Sequence, residues 1–206
     1  MNKKLVIFDF DGVLVNTCDF WYRLHKEFNH DLTWERFESM SHGNFRDIYK
    51  EVLANGDYVD PPQGEEKYAE MLQTIASIED ILHDVVLGLK SLHELMIVSS
   101  GSEVTIRRFL EKENLDGCFS EILGFETHTS KKIKITSILE KYKIEKNNVV
   151  FITDTLGDVL EANECKISTI GVTWGLHKRE TLEKGNVRAI IDDPTQLFET
   201  VEKILQ

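Results

Sequence analysis

Cysteine is scarce in this sequence. The three residues, Cys18, Cys118 and Cys165, are widely separated and fit no metal-ligand spacing. They read as free thiols of a reducing compartment. Basic residues are also in short supply: 24 Lys and Arg stand against 36 Asp and Glu, a formal net charge of −12. That deficit argues against a nucleic-acid footprint, which needs a basic face. It still permits a small anionic ligand, because backbone amides, a few lysines and a metal ion can hold a phosphate within an acidic protein. Long apolar runs are missing. No stretch approaches the roughly 20 residues that span a bilayer. The first apolar run, Leu5 to Phe8, is too short for a signal peptide and leads into acids. These absences predict a cytoplasmic protein with no membrane or nucleic-acid partner and no obligatory protein partner.

What is present describes an ordinary globular chain. Of 206 residues, 41% are hydrophobic and 29% charged, enough for one good-sized core or a core with a small insertion. Continuous Val- and Ile-rich runs occur at 4–10, 95–100, 121–125, 149–154 and 167–173, with a sixth at 188–192. Such runs suit strands buried on both faces. Helical patterns lie between them at 103–113, 133–142 and 156–164, and a last one at 194–205 starts with Pro194 in its first turn. Strand alternating with helix predicts an α/β fold, a Rossmann-like parallel sheet with helices on both faces.

One segment breaks the alternation. Between 16 and 80 no strand pattern occurs, whereas Trp21, Leu24, His25 and Phe28, and again Tyr68, Met71, Leu72 and Ile75, recur at helical spacing. Pro61 and Pro62 interrupt it. The expectation is an all-helical insertion at 16–80, with 1–15 and 81–206 forming the sheet domain.

Ligands of open parallel sheets bind beyond the carboxyl ends of the strands. The first run ends in Asp9 and Asp11, followed by Gly12. Two carboxylates on the same side of an extended chain repel unless a cation or a proton separates them. The second run ends in Ser99, Ser100 and Gly101 ahead of a helix start, a place for an anion. Lys131, Lys132 and Lys134 follow the third, where lysine is poorly placed for the helix dipole. The fourth ends in Asp154, with Asp158 one turn later, and such acids suit magnesium. Taken singly, Asp154 or Asp158 reads as a helix cap, Ser99 as a turn residue and the lysines as a solvated face. Asp9 resists that treatment, because it interrupts a buried strand. All four ends are polar in a complementary way.

The segment DFDGVLVNT resembles the first signature of the haloacid dehalogenase superfamily. LMIVSSG, Lys131 and ITDTLGDVLEA resemble the second, third and fourth in order, and GVTWG at 171–175 is similar to phosphoglycolate-phosphatase-like members. Three positions depart from the pattern: Ser99 replaces threonine, no proline follows the lysine, and Thr153 replaces glycine. The choice among Lys131, Lys132 and Lys134 therefore stays open.

The resemblance implies a magnesium-dependent phosphatase acting on a small phosphorylated metabolite, phosphoglycolate-like or a sugar phosphate, through an aspartyl-phosphate. Asp9 is then the nucleophile and Asp11 the acid and base. Asp9, Asp11, Asp154 and Asp158 hold Mg2+, and Ser99, Ser100 and Lys131 hold the phosphoryl group. The insertion becomes a cap, in which His42, Asn44 and Arg46 flank a glycine turn and can hydrogen-bond a leaving group. A phosphomutase shares Asp9 and Asp11 and is the alternative, as is a non-enzymatic binding protein on this fold.

Overall fold

A computed structural model describes residues 4–56 and 58–206. In chain order its elements are β1 (Leu5–Phe8), α1 (Cys18–Phe28), α2 (Trp34–Ser39), α3 (Phe45–Ala54), α4 (Gly64–Thr74), α5 (Asp80–Leu92), β2 (Glu94–Val98), α6 (Glu103–Lys112), β3 (Glu121–Leu123), α7 (Lys131–Tyr142), β4 (Val149–Thr153), α8 (Leu156–Cys165), β5 (Ser168–Val172), α9 (Arg179–Leu182), β6 (Ala189–Ile191) and α10 (Leu197–Leu205). The strands form one parallel sheet in the order β3-β2-β1-β4-β5-β6.

All four residues of β1 are fully buried. Alternate side chains of a strand point to opposite faces, so a strand with no polar position must be covered on both sides. Val6 and Phe8 pack with residues of α5, α6 and α10, including Val86, Phe109 and Val201. Leu5 and Ile7 pack the other way, against Ile135 and Ile138 of α7 and Ala162 of α8. Truncating one of these side chains, for example Ile7→Ala, costs about 2–5 kcal/mol. The central register, Ile7 beside Met96 and Phe151, sets the ends of β1, β2 and β4 side by side.

No described residue between 16 and 80 lies in a strand. Helices α1 to α3 share a small core of their own, built on Leu32, Phe37, Met40 and Tyr58, to which Leu176 adds from the loop after β5. Tyr68, Met71 and Leu72 of α4 instead join the main core beside Phe10 and Leu14. Pro61 and Pro62 lie in the connection between α3 and α4. Thr33 caps α2 by accepting the Arg36 amide, and Asn44 caps α3 by accepting the Asp47 amide.

Two helix starts differ from the sequence reading. The last helix starts at Leu197, because 194–196 forms a 3-10 turn capped by Asp193. The helix after β3 starts at Lys131 rather than 133, because Ser130 caps it by accepting the Ile133 amide.

Candidate active site

The site gathers where β1, β2 and β4 end. Asp9 follows β1 and is 4% exposed. Its Oδ1 accepts the Phe10 amide at 2.8 Å, and its Oδ2 lies 2.6 Å from Lys131 Nζ. The same ammonium sits 2.6 Å from Asp158 Oδ2, which also accepts the Thr153 hydroxyl at 2.7 Å. Lys131 thus holds two buried carboxylates. Asp154, at the end of β4, accepts the Leu176 amide on Oδ2 at 2.7 Å, while its Oδ1 is buried without a partner. Asp11 Oδ1 accepts two hydroxyls, Thr17 at 2.7 Å and Tyr68 at 2.6 Å. Gly12 has φ +72°, and a Cβ there would fall 2.0 Å from Asp154 Oδ2, so this turn admits only glycine.

The electrostatics follow from burial. It raises the Asp9 carboxyl well above the usual range, against the pull of Lys131. It raises Asp11 as well, opposed by the Tyr68 and Thr17 hydrogen bonds, and Asp154, opposed by the Leu176 amide. Asp158 is the exception: burial works upward, but Lys131 and the hydrogen bonds outweigh it and hold the carboxyl low. Four carboxyl groups therefore stand together with one lysine, which reaches two of them, and an unbalanced buried negative charge is costly. A divalent cation fits that deficit. The donors are all hard oxygens, and Asp154 Oδ1 is unused. Asp9, Asp154 and Asp158 are the side chains that could hold it.

Each of the candidates read from the sequence can be placed. Ser99 is fully buried, and its hydroxyl accepts the Gly101 amide at 2.9 Å. Ser100 and Gly101, not Ser99, line the cavity above the carboxylates. Lys132 is exposed and pairs with Glu164. Lys134 is buried but donates to the Ser99 and Gly124 carbonyls. Among the three lysines, only Lys131 meets the acids.

The loop 41–46 divides. Arg46 lines the cavity and donates to the Ser100 carbonyl at 2.7 Å. Asn44 and His42 do not line it, which corrects the grouping of the three as one reading surface. The Asn44 side chain is occupied in capping α3 and in a 3.1 Å bond to Glu161. The His42 ring packs 5.1 Å from that of His177. His177 is itself buried: Nδ1 accepts the Leu156 amide at 2.8 Å, so in the neutral ring Nε2 carries the proton and donates to the Glu38 carbonyl at 3.1 Å. Glu38, His42 and His177 bring ligand-type atoms within 4.8 Å of one another. Because both ring nitrogens of His177 are in use, this triad is a joint between α2 and α8 rather than a metal centre. The joint is tight. The Gly157 amide donates to the Ser41 carbonyl at 2.9 Å, and a Cβ on Gly157 would fall 2.0 Å from the Gly43 carbonyl oxygen.

Sequence reasoning missed Thr17, Tyr68 and His177. Thr17 closes the first signature and could have been noted there. Tyr68 and His177 lie 57 and 139 residues from their partners Asp11 and Glu38, and nothing local marks them.

The cavity has a volume of about 470 Å³ and is bounded by the sheet ends on one side and by α1, α3 and α4 on the other. The model of the haloacid dehalogenase-like hydrolase family matches residues 6–172. The chain is 22% identical to a phosphoglycolate phosphatase of Synechococcus elongatus, over 98% of this chain and 99% of that one. It is 24% identical to a phosphoglycolate phosphatase of Colwellia psychrerythraea, over 98% and 96%. Its fold is similar to that of a haloacid dehalogenase-like hydrolase from Streptococcus pneumoniae, with a TM-score of 0.75 at 17% identity, over 96% and 98%.

Proposed function

The chain belongs to the haloacid dehalogenase-like hydrolases and is a phosphoric monoester hydrolase; on that premise we propose that it is magnesium-dependent and hydrolyses a small phosphorylated metabolite through an aspartyl-phosphate. The reading rests on one arrangement: Asp9 and Asp158 share Lys131, while Asp154 keeps a free buried oxygen beside them.

Asp9 attacks phosphorus, and the bond from phosphorus to the alcohol oxygen breaks. Asp11 gives its proton to the departing oxygen, a role suited to a carboxyl that burial keeps above its ordinary range. Asp11 then takes a proton from water as that water attacks phosphorus, which returns Asp9 and releases inorganic phosphate. Lys131 and the amides around Ser100 and Gly101 hold the phosphoryl oxygens. Asp9, the Asp11 carbonyl, Asp154 and Asp158 would hold magnesium, whose charge offsets the repulsion between carboxylate and phosphate. Residues 1–15 and 81–206 form the catalytic domain, and 16–80 is a cap that excludes water. Of the loop 41–46, whose Ser41, Gly43, Phe45 and Arg46 line the cavity, Arg46 is the charged residue that would touch substrate.

No described helix is long and apolar enough to cross a membrane, and the free cysteines suit a cytoplasmic enzyme. The test is turnover of p-nitrophenyl phosphate with magnesium, compared with excess EDTA and with Asp9→Asn. Full activity in EDTA, or more than about a hundredth of wild-type activity in Asp9→Asn, would sink the mechanism.

A further inference from the structure

The cap side of the cavity is acidic. Among its described lining residues Arg46 and Lys131 are the only lysine or arginine, and Lys131 belongs to the carboxylates at the sheet ends. Arg46 is engaged in part, although its Nε is buried without a partner. Its guanidinium donates to Ser100, lies 5.1 Å over the Phe125 ring and comes within 4.0 Å of Glu65. Around it stand Asp60, Glu65 and Glu66. Three carboxylates against one guanidinium leave this wall with a net charge of −2. The remaining surface is aromatic, with Trp21 and Tyr49 exposing part of their rings to the same space. The Tyr49 hydroxyl donates to Asp60 Oδ1 at 2.5 Å, which fixes that carboxylate against the ring. His25, 5% exposed, also lines the cavity, and burial pushes its pKa down to about 4, so it adds no positive charge near neutrality.

An alcohol bearing a carboxylate would bring a second anion to a wall that repels it. An ammonium group meets the opposite: carboxylates for its charge and aromatic surface beside them for cation–π contact. Resting on the phosphatase reading above, we propose that the substrates are aminoalcohol phosphates, whose leaving alcohol carries an ammonium group held by Asp60, Glu65 and the rings of Trp21 and Tyr49.

The experiment compares kcat/KM of the intact protein with magnesium on O-phosphoethanolamine, phosphocholine, 2-phosphoglycolate, glycerol 1-phosphate and p-nitrophenyl phosphate. The better ammonium ester should exceed both phosphoglycolate and glycerol phosphate by about 10-fold or more. In the double variant Asp60→Asn, Glu65→Gln the ratio of ammonium ester to phosphoglycolate should fall by a similar factor. Both positions are exposed, so folding is spared. If phosphoglycolate or glycerol phosphate matches or beats the ammonium esters, or the double variant leaves the ratio unmoved, this proposal falls while the phosphatase reading stands. If even p-nitrophenyl phosphate is not turned over, the phosphatase reading falls and takes this one with it.

Discussion

The Tyr68 hydroxyl donates a 2.6 Å hydrogen bond to Asp11 Oδ1, tying a helix of the inserted segment to the carboxylate proposed as acid and base. Tyr68 is 1% exposed and stacks on Trp21 with ring centroids 5.0 Å apart. Tyr68→Phe keeps that stacking and removes only the donor. A hydrogen bond to a charged group contributes about 1.5–3 kcal/mol, so kcat/KM should fall by about 10- to 100-fold. The sign of the pH effect is fixed. Burial raises Asp11 and the Tyr68 bond lowers it, so losing the bond lets the pKa rise. The limb of the kcat/KM profile on which protonated Asp11 is lost should then move to higher pH. A purely architectural tyrosine would lower activity without moving the limb.

Lys131 and Lys132 are neighbours with opposite surroundings. Lys131→Met strips the cation from between Asp9 and Asp158, and breaking a buried pair costs about 3–5 kcal/mol. Lys132→Met removes an exposed pair with Glu164 and should change stability by no more than about 0.5–1 kcal/mol. Urea unfolding in EDTA separates the two. Turnover should be lost in the first variant and kept in the second. Similar costs at both positions would mean that Lys131 does not hold the acids together.

How far the sequence could be read is clearest at these lysines. Helix α7 turns Lys131 inward to the acids and Lys134 inward to the carbonyls of Ser99 and Gly124, and leaves Lys132 outside. Choosing among them needs the rotation of the helix about its axis, which depends on where Ser130 caps it, whereas the apolar pattern becomes visible only at 133, two residues into the helix. The strands and their polar ends were legible, because apolar runs covered on both faces have few alternatives. Asn44 looked like a substrate ligand because Asn, Gly and Arg together suit recognition. Its side chain is in fact taken up by the start of α3, a local use that competes with any distant one.

Asp154 Oδ1 is buried with no partner, so a bound cation should stabilise the folded chain by itself, without turnover. At magnesium about 100-fold above its dissociation constant the gain is about 2.7 kcal/mol. For a chain of this size that is about 5–10 °C in Tm. Differential scanning calorimetry in magnesium and in EDTA should show the rise, and Asp154→Asn should abolish most of it. An equal rise in the variant would place the ion elsewhere.

His177 couples stability to acidity. Burial is the main reason that its pKa drops from 6.5 to about 4, helped by His42 and opposed by the Glu38 carbonyl. Between those values the unfolded chain binds a proton there and the folded chain does not. Its contribution is therefore complete above about pH 6.5 and is lost as pH falls toward 4. His177→Gln has no such group. The stability advantage of wild type over this variant should shrink by up to about 3 kcal/mol between pH 7 and pH 4. A gap that stays constant across that range would show that His177 takes no proton in the unfolded chain that it lacks in the folded one.

Thr17 stands at the N-cap of α1, yet its hydroxyl does not cap that helix; it is given to Asp11, six residues earlier. The stretch that carries the proposed proton donor is also the strap by which the helical insertion hangs from the sheet. Exchange of this insertion for another is thereby constrained. A transplanted insertion joined after Thr17 keeps one of the two hydroxyls on Asp11 and must bring its own counterpart of Tyr68. One joined before Thr17 begins with neither, so inheritance of a new insertion and tuning of the acid proceed as a single step.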